Sequence, residues 1–168
     1  MDLYLIRHAD AIDADSGMTD AERPLSEDGQ EKMRKGAKGL RNLLSGNFPP
    51  IDAILTSPLL RALESARIIA SMVNEDDTVV ECPPLAEGSK WEALLPFLSK
   101  YPNTSRIALV GHEPDLGALA GWLLAPGSGA SFSLKKGSAV CFEIEEVTAE
   151  PEAELLWFLT PKQLRMLR

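Results

Sequence analysis

Two uninterrupted apolar runs, each ending at a histidine, constrain this chain more than any other feature. Leu3-Tyr4-Leu5-Ile6 stops at Arg7-His8, and Ile107-Ala108-Leu109-Val110-Gly111 stops at His112. An apolar run without alternation suits a strand covered on both faces, as in a parallel sheet. The carboxyl ends of such strands are where α/β proteins place ligands. The chain has only these two histidines, so finding both at strand ends points to a site.

The segments between these runs read as helices. Ser26 is a plausible N-cap, with Glu27 and Asp28 suiting a first turn. Met33, Ala37, Leu40 and Leu44 follow on one face, and the pattern ends near Gly46 and Pro49-Pro50. Ile51–Thr56 is a second short strand. Ser57-Pro58 then predicts a helix start that places Arg61 in the first turn, at the amide-rich end where anions bind. Asn74–Asp77 breaks that helix, and Val79-Val80 is a weak strand. Trp91, Leu94, Leu95 and Leu98 form a further helical stripe, as do Leu116, Leu119, Ala120 and Leu123 after Glu113-Pro114-Asp115. Lys135-Lys136-Gly137 is expected to be a hairpin or tight connection between Phe132–Leu134 and Ala139–Ile144. Leu155–Leu159 is the last strand, and Thr160-Pro161 opens a short terminal helix. Strands alternating with helices over 168 residues predict one α/β domain, 1–168.

Composition limits the partners. A net charge of −8 argues against broad binding to nucleic acid or an anionic membrane. No apolar run is long enough to span a bilayer. Cys82 and Cys141 share no metal-ligand spacing with each other or with the histidines, and a reduced, cytoplasmic setting is expected. Glu113 beside His112 lacks the acidic cluster a zinc site needs, so neither metal nor cofactor is expected.

Two strand-end histidines with arginines nearby suit phosphoryl transfer. Arginine presents a planar, always charged fork to phosphate oxygens, and a neutral imidazole nitrogen is a nucleophile. Arg7, Arg61, His112 and the amides after Ser57 would hold the equatorial charge while His8 attacks in line. Spacing alone leaves open a structural alternative, in which the arginines are surface charges and the histidines satisfy backbone carbonyls.

Arg7-His8 after the first strand, Ser57-Pro58-x-x-Arg61-Ala62 opening a helix, and Gly111-His112 after a later strand resemble the histidine phosphatase (phosphoglycerate mutase-like) superfamily. Arg23-Pro24-Leu25-Ser26-x-x-Gly29 and Trp157-x-Leu159-Thr160-Pro161-x-x-Leu164 are similar to its small branch, the SixA-type phosphohistidine phosphatases. The resemblance implies a three-layer α/β/α sandwich with a mainly parallel central sheet. It makes His8 the phosphorylated nucleophile, with Arg7, Arg61 and His112 binding the phosphoryl group. Arg23, Asp10 and Ser57 become substrate contacts, Asp10 with a possible part in orienting His8.

The chain has Ala9 where the family's commonest motif has glycine. It also has no obvious general acid; Glu87, in the loop after Cys82, is the candidate. An imidazole leaves more readily than an alkoxide, so the missing acid favours phosphohistidine substrates. The expected substrate is a phosphorylated histidine-containing phosphocarrier or phosphorelay protein, acted on by a monomer. A phosphatase for small phosphate esters and a catalytically silent phosphate-binding module are the alternatives.

Overall fold

The computed structural model describes residues 1–14, 17–47, 50–73, 78–86, 88 and 90–167. Its centre is a six-stranded sheet made of β1 (Asp2–Arg7), β2 (Ala53–Thr56), β3 (Val79–Glu81), β4 (Arg106–Gly111), β5 (Ala139–Ile144) and β6 (Ala153–Leu159). The strand order is β3-β2-β4-β1-β5-β6. The first four of these strands run parallel, and β5 and β6 close one side antiparallel. The sheet is therefore mixed, with the parallel part holding the predicted strand ends.

Helices α1 (Glu27–Asn47), α2 (Leu60–Val73), α3 (Trp91–Leu98), α4 (Asp115–Leu124) and α5 (Pro161–Met166) cover both faces. The unbroken apolar run of β1 explains why. Leu3 and Leu5 join one core with Trp91, Leu94, Leu116 and Leu119; Tyr4 and Ile6 join a second with Met33, Ala37, Ile69 and Leu164. Successive strand residues point to opposite faces, so a strand that is apolar at every position needs a helical layer on each side.

Local signals set the helix starts. Gly29 N–H donates to Ser26 Oγ at 3.0 Å, the cap expected for α1. Thr160 and Gln163 form a capping box on α5, with Pro161 in the first turn. Helix α2 begins at Leu60, later than Ser57-Pro58 suggests. Ser57 N–H donates to Val110 O at the sheet end at 2.9 Å, while its Oγ accepts from Leu59 N–H at 3.2 Å just before the helix.

A second difference concerns 132–134, which pairs with no strand. The connection to β5 is tight, with Ser138 N–H donating to Lys135 O at 2.8 Å. The preceding backbone is satisfied elsewhere: Phe132 N–H donates to Gly117 O at 2.9 Å and Leu134 N–H to Glu113 Oε1 at 3.2 Å. The predicted helix break at 74–77 lies outside the described residues, as does Pro49.

Candidate active site

Strand register brings the histidines together. In the parallel β1–β4 pair, Arg7 lies opposite Gly111, so His8 and His112 each follow by one residue at the same height. The β2–β4 pair sets Thr56 opposite Val110, which brings Ser57 to the level of Gly111. The imidazole centroids are 4.9 Å apart, and both rings are buried.

The hydrogen bonds of His8 fix its chemical form. Its Nδ1 lies 2.6 Å from Ala9 O. A carbonyl only accepts, so Nδ1 carries the proton and the lone pair resides on Nε2. Burial pulls the pKa of His8 down to about 3; His112, Arg61 and Arg7 add to the fall, against the opposing pull of the Ala9 carbonyl. At neutral pH the ring is uncharged, and its Nε2 carries a lone pair. Ala9 is itself buried, its N–H donating to Ser65 Oγ at 3.2 Å, so the methyl group that replaces glycine fits this corner.

His112 is anchored by Ser57, whose Oγ lies 2.8 Å from Nε2. Burial, Arg61 and Arg7 pull its pKa down to about 4, with Asp20 opposing. His112 Nδ1 and Arg7 Nε are buried and have no hydrogen-bond partner among the described residues. Buried polar groups are normally paired, so these two nitrogens suit an acceptor-rich ligand, with His112 Nδ1 donating in the tautomer whose Nε2 accepts from the Ser57 hydroxyl. Arg7 Nη1 is aimed by a 2.7 Å bond to Leu134 O.

Arg61, on the first turn of α2, has a side chain only 11% exposed. It donates to Asp20 O at 2.7 Å and to Asp20 Oδ2 at 2.9 Å. Arg23 takes the other carboxylate oxygen at 2.9 Å and donates from Nε to Ile12 O at 2.8 Å. Asp20 thus links Arg23 to Arg61, a role its sequence position gave no sign of. Hydrogen bonds from Arg23 and then Arg61 hold its carboxyl below the usual range. An ionised Asp20 is a poor proton donor.

The loop that carries Asp20 is folded back by Leu25 N–H donating to Glu64 Oε2 at 2.7 Å. The glycine of the Arg23–Gly29 motif has a steric reason: a Cβ at Gly29 would lie 2.1 Å from Asp10 O.

Asp10 faces a different neighbourhood. Its carboxylate lies 3.1 Å from Lys136 Nζ and 3.9 Å from Lys32 Nζ, while the partner of the His8 ring is Ala9 O. Glu87 lies outside the described residues. His8, His112, Ser57, Arg7 and Arg61 therefore converge, Arg23 joins through Asp20, and Asp10 stands at the side. Sequence reading missed Asp20 and Leu134 O, whose link to the site is purely spatial, and it weighed Glu113 only as a metal ligand, not as the acceptor of Leu134 N–H.

The family model described as Histidine phosphatase superfamily (branch 1) matches residues 3–96. An uncharacterized protein of Picosynechococcus sp. is 31% identical, over 98% of this chain and 99% of its own. Phosphohistidine phosphatase SixA of Escherichia coli is 24% identical, over 100% and 99%. Among solved structures, protein histidine phosphatase SixA complexed with tungstate superposes with a TM-score of 0.78 at 23% identity, covering 98% of this chain and 99% of that one. The alpha-ribazole phosphatase from Shigella flexneri gives 0.69 at 21%, covering 96% and 97%. No described helix is long and apolar enough to cross a membrane.

Proposed function

The chain belongs to the histidine phosphatase superfamily, and from that premise we propose that it hydrolyses phosphohistidine on a protein through a covalent intermediate at His8. His8 Nε2 attacks phosphorus in line. The P–N bond of the substrate breaks, and its imidazole leaves with a proton from solvent. Arg7, Arg61 and His112 stabilise the charge on the equatorial oxygens. Water then attacks the phosphohistidine on His8, releasing phosphate and restoring the neutral ring.

The observation that carries this reading is the corner itself: a buried, neutral His8 with its lone pair on Nε2, beside His112 Nδ1 and Arg7 Nε, which have no partners among the described residues. Substrate class follows from the leaving group. A general acid contributes about 10²–10⁴-fold where the leaving oxygen needs a proton. Asp20, the carboxylate bound to Arg61, is held ionised, which favours a leaving group with little need of that acid. The similarity to SixA supports the same substrate class, and the similarity to alpha-ribazole phosphatase supports small phosphate esters as the second reading.

The test is phosphate release, in the presence of a chelator, from a phosphohistidine-bearing protein and from a panel of phosphomonoesters. Preference for the protein, lost by about 10⁴-fold or more in His8→Ala, is the expected result. An acid-labile phosphoenzyme should appear in the wild type alone. Preference for monoesters would overturn the substrate assignment, and release unaffected by His8→Ala would overturn the mechanism.

A further inference from the structure

Beside the catalytic corner, α1 and α5 leave a cleft that the reaction at His8 does not use. Its cavity volume is about 30 Å³, within a depression of about 460 Å³ that includes open solvent. Met33, Leu40, Ile69 and Leu164 give it an apolar floor. Asp10, Lys32, Lys136 and Arg165 stand around it.

Two glycines of α1 explain why the cleft exists. A Cβ at Gly39 would lie 1.8 Å from Leu164 O, so that glycine is required for the α1–α5 contact. Gly36, one turn earlier, is also buried, yet a Cβ there would meet nothing within 4 Å. Glycine in a helix interior is less stable than alanine. No packing contact requires its small size, and its effect is to leave the cleft open.

The cleft is next to the nucleophile. Ala9, which follows His8, forms part of its wall, and so does Gly137, whose N–H donates to Arg7 O at 3.0 Å and His8 O at 3.2 Å. The rim is locally basic although the chain carries −8. Lys136 pairs with Asp10 and Lys32 with Asp28, whereas Arg165 has no acidic partner among the described residues. Its planar fork suits a carboxylate.

We propose that this cleft is a substrate subsite that takes one aliphatic side chain of the peptide flanking the phosphohistidine, with a neighbouring carboxylate on Arg165. The proposal rests on the phosphohistidine reading and adds sequence preference to it.

Two phosphohistidine peptides test it, one with leucine and glutamate beside the phosphohistidine and one with alanine and glutamine there. Wild type should favour the first by about tenfold in kcat/KM, the order expected for one filled apolar pocket. Gly36→Leu, which plugs the cleft, should abolish that preference while leaving the second peptide within about twofold. Arg165→Gln should remove only the share due to glutamate. Gly36→Ala is the folding control and should raise Tm by about 2–4 °C.

Equal use of both peptides by wild type, or equal loss on both in Gly36→Leu, would overturn the subsite. Failure to hydrolyse either peptide, with monoesters turned over, would overturn the phosphohistidine reading instead. Anisotropy of a labelled, unphosphorylated leucine–glutamate peptide then decides the cleft separately. Binding lost in Gly36→Leu supports it, and binding absent or unchanged overturns it.

Discussion

At the scale of single residues, the site is organised by which groups hold the charged side chains before substrate arrives. Asp20 occupies two donors of Arg61, so an incoming phosphate must compete with it. The Asp20 side chain is 62% exposed, which limits the strength of the pair. Exposed ion pairs are worth up to about 1 kcal/mol, so Asp20→Asn should tighten inorganic phosphate inhibition by about two- to fivefold, and added salt should erase the difference. Weaker inhibition in the variant would mean that Asp20 aims Arg61 rather than competes for it. Ser57 acts through His112. Ser57→Ala removes the anchor of a ring that, in the proposed mechanism, presents Nδ1 to the substrate. We expect kcat/KM to fall about 10- to 100-fold, a misplacement effect, with urea-derived stability changed by less than about 2 kcal/mol. Unchanged kinetics would show that strand register alone fixes the ring.

At the scale of elements, the 130–134 segment connects α4 to the guanidinium of Arg7. Phe132 N–H bonds Gly117 O, Leu134 N–H bonds Glu113, and Leu134 O receives Arg7 Nη1. The segment lies flat on a glycine face of α4: a Cβ at Gly117 would come within 1.9 Å of Phe132 O, and one at Gly121 within 1.9 Å of Ala130 O. Either alanine should cost about 1–3 kcal/mol, the usual cost of overpacking. Only Gly117→Ala pushes on the stretch that holds Leu134, so it alone should also lower kcat/KM, by about tenfold or more; steady-state kinetics beside urea titration separates the two. Equal kinetic loss in both variants would remove Leu134 from the positioning of Arg7.

These examples show what the sequence made legible. The strand ends at His8 and His112 could be read because an apolar run cut off by a polar residue is a local signal, and register then joined them. The Ser26 cap and the Thr160-Pro161 helix start were equally local. Of the hairpin or tight connection read at 135–137, the tight connection is found, because the backbone groups of 132 and 134 are satisfied by Gly117 and Glu113, contacts that no local pattern encodes. Asp20 escaped notice for the same reason, being 41 residues from Arg61 in the chain.

At the scale of the whole molecule, two buried neutral histidines make stability depend on pH. The direction follows from linkage. Both folded pKa values, about 3 for His8 and about 4 for His112, lie below the value near 6.5 of an unfolded chain. As pH falls below 6.5 the unfolded chain binds these protons first, so the stability present above 6.5 is lost towards the folded values. Each histidine contributes a slope of up to about 1.4 kcal/mol per pH unit. Between pH 6.5 and 4.5 the pair should remove about 4 kcal/mol, a large part of the 5–15 kcal/mol typical of a domain. Depressed carboxylates such as Asp20, Glu22 and Glu31 begin to act only at the bottom of this window, near their ordinary values of 3.8 to 4.5, and mostly below it. Loss of net negative charge towards an isoelectric point near 4.8 relieves repulsion and works in the opposite direction, so a decline between pH 6.5 and 5.5 belongs to the histidines. Urea titrations at pH 6.5, 5.5 and 4.5 read it directly, and His8→Gln should remove about half of the slope. A flat profile in the wild type would mean that the imidazoles are solvated, and would take away the basis for proposing a neutral His8 nucleophile held ready by burial.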